Sequence, residues 1–209
     1  MEEWHPTKNG EKTPADFPAG SNHRVWWKCG KGSDHEWRAM INTRTERGFG
    51  CPYCSHHKLS VTNSLQTLNP EIASQWHPTK NGDLTPSDVI GGTAQKVWWK
   101  CPKGEDHEWK ATIADRNAGR GCPFCAGRKA SKSNNLRALN PKLASEWHPI
   151  KNKDLKPEDF TLRSGKKVWW QCPKNEDHEW EAIISNRSGR GDYCPFCAGR
   201  KASKSNNLL

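Results

Sequence analysis

Val25-Trp26-Trp27-Lys28-Cys29, His35-Glu36-Trp37 and Cys51-Pro52-Tyr53-Cys54, introduced by Trp4-His5-Pro6, form a phrase that this chain repeats. It returns from Trp76 and again from Trp147. Cys29 and Cys101 are 72 residues apart and Cys101 and Cys172 are 71 apart, so each copy is one structural unit duplicated in line. The copies divide the chain into 1–75, 76–146 and 147–209.

Units of about 70 residues seldom hold together on an apolar core alone. Hydrophobic residues make up only 33% and the mean hydropathy is -1.02. Twelve tryptophans, four per copy, nevertheless point to small aromatic cores held by some further staple. The nine cysteines fall three per copy, a number that cannot pair off into disulfides within a unit. Met1-Glu2-Glu3-Trp4 opens directly into the repeat with no apolar leader, so the expectation is a reducing, cytoplasmic setting. No run approaches the roughly 18 apolar residues of a membrane span, and no membrane partner is expected.

The three cysteines and one histidine of each copy keep constant spacing. They read Cys29-x5-His35-x15-Cys51-x2-Cys54, Cys101-x5-His107-x14-Cys122-x2-Cys125 and Cys172-x5-His178-x15-Cys194-x2-Cys197. Three thiolates and an imidazole suit tetrahedral zinc, and a Cys-Pro-x-Cys turn brings two sulfurs to one ion. Four protein ligands close the coordination sphere and leave no place for an activated water, so three structural Zn2+ ions are expected and catalysis is not. Buried free thiols and a rubredoxin-like iron site are the alternatives, and His5, His77 and His148 of the Trp-His-Pro motif are competing ligands. Asp-His-Glu, the one tempting acid/base cluster, spends its histidine on the metal; Asp34, Glu36 and their copies read as turn and supporting groups.

Val97-Trp98-Trp99-Lys100-Cys101, a turn, and His107 to Ile113 predict a hairpin with a ligand at each side of its turn. Alternation places Trp109, Ala111 and Ile113 on one face and Lys110, Thr112, Ala114 and Arg116 on the other. Pro141 after Asn140 predicts a helix start, with a short turn from Leu136 leading into a helix of about seven residues that bridges to the next copy. Thr85-Pro86-Ser87-Asp88 carries a similar signal. The fold class is small α+β, each unit a zinc-stapled hairpin with a short bridging helix. The chain ends within the phrase at Ser203-Lys204-Ser205, so the third unit is expected to be truncated before its terminal helix, as in a fragment of a longer array or a natural terminal truncation.

Trp76-His77-Pro78, Lys80-Asn81, Pro86, Asp88, Val97-Trp98-Trp99-Lys100-Cys101, His107-Glu108-Trp109, Arg116 and Gly121-Cys122-Pro123-Phe124-Cys125 together resemble a probable zinc-ribbon, or treble-clef, repeat family of unknown function. The resemblance spans nearly the whole chain. It implies tandem modules of the kind found in bacteria and large DNA viruses, sometimes beside endonuclease-like domains, and hence DNA-associated work with a nuclease-like effector as a further partner. The first copy departs from the pattern where Ser55-His56-His57-Lys58 replaces Ala-Gly-Arg-Lys.

The formal charge of +10 falls to about +7 once three sites of three thiolates, one neutral histidine and Zn2+ are counted. Residues 1–75 carry nine Lys/Arg against eight acids, 76–146 twelve against seven and 147–209 twelve against eight, which suggests a polyanionic partner for the last two copies. Across copies the inward residues of the second strand stay fixed. Outward positions change from Arg38 to Lys110 to Glu181, from Met40 to Thr112 to Ile183 and from Asn42 to Ala114 to Ser185. A modular duplex-DNA reader is therefore expected, its variable residues meeting base edges in the major groove. Thr43, Asp115 and Asn186 join them if the strand twists. Arg44, Arg47, Arg116, Arg120, Arg187 and Arg190, with Arg128-Lys129 and Arg200-Lys201, would hold phosphates. Single-stranded DNA or RNA bound by exposed tryptophan, a docking scaffold, and a strand face that varies because nothing depends on it stand as alternatives.

Overall fold

The computed structural model of the chain describes residues 2–189, 193–205 and 207. It divides into two compact units, Met1–Trp99 with Lys110–Arg120 and Lys100–Trp109 with Gly121–Leu209. Each repeat carries one two-stranded sheet: β1 (Arg24–Lys28) with β2 (Glu36–Met40), β3 (Lys96–Lys100) with β4 (Glu108–Thr112), and β5 (Lys167–Gln171) with β6 (Glu179–Ile183). Period-two alternation sorts the side chains. Val25 and Trp27 of β1 are buried, Arg24 is exposed and Trp26 is half-buried. The antiparallel register sets Trp27 opposite Trp37 and Trp26 opposite Arg38; in the third repeat Trp170 faces Trp180 and Trp169 faces Glu181.

The second strand is shorter than its alternation predicts. After Met40, Thr112 and Ile183 the chain turns into the short helices α1 (Ile41–Thr45), α4 (Ile113–Asn117) and α7 (Ile184–Gly189). Thr112 caps α4, its hydroxyl accepting from the Asp115 amide at 3.0 Å. Ile113 and Arg116 lie three apart on one helical face, and both are buried. In a strand they would have pointed to opposite sides, so tertiary burial overrides the period read from the sequence.

The Trp-His-Pro phrase supplies a third edge to each sheet. Trp4 bridges Trp27, the His5 amide donates to Trp26 O at 3.1 Å and the Lys28 amide to Glu3 O at 2.8 Å. Trp147 repeats this against Trp170, with the His148 amide on Trp169 O at 3.1 Å. Asn81 of the Lys-Asn dipeptide acts as a surrogate strand residue: its Nδ2 donates to Trp98 O at 2.9 Å and its Oδ1 accepts from Trp98 N at 2.8 Å. Asn9 and Asn152 do the same for Trp26 and Trp169.

Between hairpins lie pairs of four-residue helices, α2 (Leu65–Leu68) with α3 (Pro70–Ala73) and α5 (Leu136–Leu139) with α6 (Pro141–Ala144). The short turn and the helix that follows it are separate as expected, Asn140 at φ -144 and ψ 72 breaking the chain between them, but the second helix runs four residues instead of about seven. Asn140 is still the N-cap expected: its Oδ1 accepts from Leu143 N at 3.0 Å, with Pro141 in the first turn. Leu136, Leu143 and Ala144 are buried in one cluster with Val168, Trp170, Trp180 and Ile184. α5 and α6 therefore complete the core of the hairpin that follows them. Thr85-Pro86-Ser87-Asp88 forms a single 3-10 turn, the Thr85 amide donating to Asp88 Oδ2 at 2.9 Å.

Candidate metal centres and the surface around them

Each hairpin turn and the following Cys-Pro-x-Cys turn bring four donors together. In all three clusters, Cys29, His35, Cys51 and Cys54, then Cys101, His107, Cys122 and Cys125, then Cys172, His178, Cys194 and Cys197, the donor atoms lie within 4.8 Å of one another. Cys29 Sγ and Cys54 Sγ are 3.7 Å apart, and His35 Nδ1 lies 3.7 Å from Cys51 Sγ and 3.6 Å from Cys54 Sγ. A regular tetrahedron with zinc–sulfur and zinc–nitrogen bonds of ordinary length requires about 3.8 Å between sulfurs and about 3.6 Å from sulfur to nitrogen. The donor set fits zinc in both chemistry and spacing, and all nine cysteines are free of disulfides. Partial desolvation, with the hydrogen bonds and charges of the neighbouring sulfurs, pushes the Cys54, Cys125 and Cys197 thiols up to about 11. Gathering three thiolates is therefore unfavourable unless a dication shares their charge.

The imidazole is oriented from two sides. His35 Nε2 meets Ser60 Oγ at 3.0 Å and Thr62 Oγ1 at 2.8 Å; His107 Nε2 meets Ser131 Oγ at 3.2 Å; His178 Nε2 meets Ser203 Oγ and Ser205 Oγ at 2.9 Å each. A proton on Nε2 leaves the Nδ1 lone pair to the ion. Tyr53, Phe124 and Phe196, the variable residues of the Cys-Pro-x-Cys turns, stack on these rings at 5.0, 5.0 and 4.9 Å. The preceding aspartate holds the serine segment in place: Asp34 Oδ2 accepts from Val61 N at 2.9 Å, and Asp106 Oδ2 from Lys132 N at 2.6 Å. Sequence reasoning missed these serines, although Ser60-Val61-Thr62, Ser131-Lys132-Ser133 and Ser203-Lys204-Ser205 recur in step with the cysteines.

His5, His77 and His148 are buried but do not join the metal clusters. His5 Nδ1 accepts from the Thr7 and Lys8 amides at 3.2 and 3.1 Å, and its Nε2 lies 3.2 Å from Glu36 Oε1. Glu36 also receives Lys8 and, at 3.1 Å, Lys28, and these hydrogen bonds hold its carboxyl down at about 2. In the third module His148 Nε2 meets Glu179 Oε1 at 2.6 Å. The glutamate of the Asp-His-Glu cluster thus anchors the Trp-His-Pro edge in these modules.

Three of the arginines expected at phosphates lie in the core instead. Arg116 and Arg187 are buried and Arg44 is largely covered. The Arg44 guanidinium sits over Trp27 and Trp37 at 5.1 and 5.3 Å, that of Arg187 over Trp170 and Trp180 at 4.9 Å each, and that of Arg116 over Trp99 at 5.3 Å. Their partners stand just before the Trp-His-Pro phrase: Glu3 for Arg44, Gln75 Oε1 at 2.6 Å for Arg116 and Glu146 for Arg187. The short helix after the strand turns each arginine inward, which is why constancy here reflects packing between tryptophans.

The variable positions divide. Arg38, Lys110 and Glu181 are exposed on the strands, and Met40, Thr112 and Ile183 are half-buried at the strand ends. Asn42, Thr43, Ala114, Asp115, Ser185 and Asn186 ride on α1, α4 and α7 and are half-buried, so the strand face does not extend to them. Asn42 donates to Asn22 Oδ1 at 2.8 Å and Thr43 to Met40 O at 2.6 Å, both local fastenings. Arg47, Arg120, Arg128, Lys129, Arg200 and Lys201 are exposed, Arg120 pairing with Asp115 at 3.3 Å; Arg190 lies outside the described residues. Of each Trp-Trp pair the second is buried, and the first is covered by the lysine of the Trp-His-Pro phrase, with Lys8, Lys80 and Lys151 over Trp26, Trp98 and Trp169 at 4.8, 4.8 and 4.5 Å.

No helix among the described residues is long and apolar enough to cross a membrane. Three closed metal modules in line suit binding to nucleic acid or protein. A comparison with curated proteins finds no match. The model of the probable treble clef zinc finger domain matches residues 1–57, 72–128 and 143–200, each span taking in one hairpin and its Cys3His cluster. This chain belongs to the family of the probable treble clef zinc finger domain, three times over.

Proposed function

We propose that the chain is a non-catalytic, modular binder of double-stranded DNA, each zinc module setting one hairpin face against the duplex. One observation carries the reading. The solvent-facing strand position opposite Trp26, and its counterparts, holds Arg38, Lys110 and Glu181, all exposed, while the residues packed beneath are the same in each module. A constant scaffold that displays a different group at each step suits a reader of a polymer. Phosphates off the hairpin face fall to the exposed Arg47, Arg120, Arg128, Lys129, Arg200 and Lys201, and on the face a cation at the reading position engages the backbone as well as the base edge. Stacking of unpaired bases on Trp26, Trp98 and Trp169 is disfavoured, because a lysine already lies over each ring.

Selection from a random duplex library tests this. Exchanging Arg38 and Met40 with Glu181 and Ile183 should move base preference with the module. An unchanged preference refutes base reading from the hairpin. Absence of duplex affinity at about 0.1 M salt removes DNA altogether and leaves a protein-docking array, the form in which a nuclease-like effector would be the partner.

A further inference from the structure

We infer that the hairpin faces of the first two modules grip duplex phosphates and that the third module's face is held neutral by an internal ion pair. This rests on the DNA-binding reading above and deepens it by assigning the electrostatic affinity to particular modules.

On the face of β1 and β2, Lys8, Arg24, Lys28 and Arg38 surround Trp26, and the carboxylate that answers them is Glu36. Arg24 and Arg38 are both exposed. In the second module Lys80 and Lys110 lie over Trp98 at 4.8 and 5.5 Å, and Lys96 is exposed two residues before that ring. Lys100 is matched by Glu108 at 3.7 Å, in the place that Glu36 takes in the first module. The third face carries a second carboxylate. Lys151 pairs with Glu179, and Lys167 Nζ lies 2.8 Å from Glu181 Oε2.

By residue count the third repeat is nearly as basic as the second, yet this face is balanced. Two substitutions are responsible: Gln171 stands where the other modules have Lys28 and Lys100, and Glu181 takes the position of Arg38 and Lys110, between Trp169, directly opposite it, and Lys167. A phosphate approaching there meets a carboxylate instead of a cation. Counterion release follows the phosphates neutralised, so the three faces should contribute unequally to the salt dependence of binding.

The test is the slope of log K against log salt concentration for the zinc-loaded full chain on a mixed-sequence duplex, read by fluorescence anisotropy. Arg24→Gln with Arg38→Gln, and separately Lys96→Gln with Lys110→Gln, should each flatten the slope by about 2, at about 0.9 for every phosphate no longer neutralised. Lys167→Gln with Glu181→Gln should leave it unchanged, and Glu181→Lys should steepen it by about 1. Each variant must retain three zinc equivalents and its tryptophan near-ultraviolet circular dichroism, since these are surface changes. If the third-module pair flattens the slope as much as the others, or the first two pairs leave it unmoved, the asymmetry is refuted while DNA binding stands. If the parent chain shows no salt-dependent duplex binding, both fail.

Discussion

His107 Nε2 lies 3.2 Å from the Oγ of Ser131, a residue 24 positions further along the chain. With Nε2–H donating to that hydroxyl, the Nδ1 lone pair is left facing the sulfurs of Cys122 and Cys125 at 3.8 and 3.6 Å. Ser131→Ala is expected to weaken zinc in the second module by about 10- to 100-fold. Competition with a chromophoric chelator would then remove one equivalent ahead of the other two. Ser60→Ala should do less, because Thr62 Oγ1 remains 2.8 Å from His35 Nε2. Equal effects at the two sites would refute an orienting role for the hydroxyl.

Metal removal should unfold the modules. Structural zinc contributes about 10–16 kcal/mol in small zinc-finger peptides, more than a unit of this size draws from its core. Chelation is expected to abolish the near-ultraviolet signal of the buried Trp27, Trp99 and Trp170. A metal-free chain that keeps this signal contradicts a structural role for the ion.

Acid should act on the metal before it acts on the carboxylates. The ligands must be deprotonated to bind, so affinity falls as pH falls. Glu36, held at about 2 by Lys8, Lys28 and His5, has a folded pKa below its ordinary 4.5. Its contribution is therefore present above 4.5 and lost only as pH falls towards 2. On acidification zinc release and unfolding should coincide, and the Glu36 carboxyl carbon should show no inflection near 4.5 while the fold persists. Carbon-13 NMR with a zinc-sensitive dye measures both, and a native inflection near 4.5 would dissolve the proposed ion cluster.

Glu146 offsets the buried guanidinium of Arg187. Glu146→Ala removes the carboxylate that faces this buried charge between two tryptophans and is expected to cost about 3 kcal/mol. Glu146→Gln should cost less, since Gln75 fills the same place beside Arg116. Urea denaturation of the zinc-loaded protein orders the two variants, and equal losses would mean that shape and not charge matters there.

His56 adopts φ 59 where Gly127 and Gly199 have φ 67, so the first module places a side chain in left-handed backbone. His56→Gly should stabilise that module by about 1 kcal/mol, the strain of an L-residue there offset in part by glycine's unfolded-state freedom. No gain in the denaturation midpoint would show that His56 makes a compensating interaction.

Much of the site was legible before the fold. Cysteine and histidine spacing in three copies located every metal donor, because coordination needs particular atoms at a turn and tolerates few other residues there. The hairpins were legible from alternation, as was the cap at Asn140 from its proline. The fate of Arg44, Arg116 and Arg187 was not, since a constant arginine reads alike whether it meets a phosphate or fills a slot between tryptophans. Its carboxylate or amide partner lies 41 positions upstream in the second and third modules, beyond any local pattern. Ser60, Ser131 and Ser203 were hidden for the same reason.

From the sequence alone came the repeat, the Cys3His donor sets and the choice of zinc, all consequences of residue identity at short range. The tertiary structure decided which cations face outward, which are sealed against aromatic rings, and that Lys167 cancels Glu181. Those outcomes depend on where a five-residue strand stops and a helix begins, and that boundary is set by the burial of Ile41, Ile113 and Ile184 against partners distant in the chain.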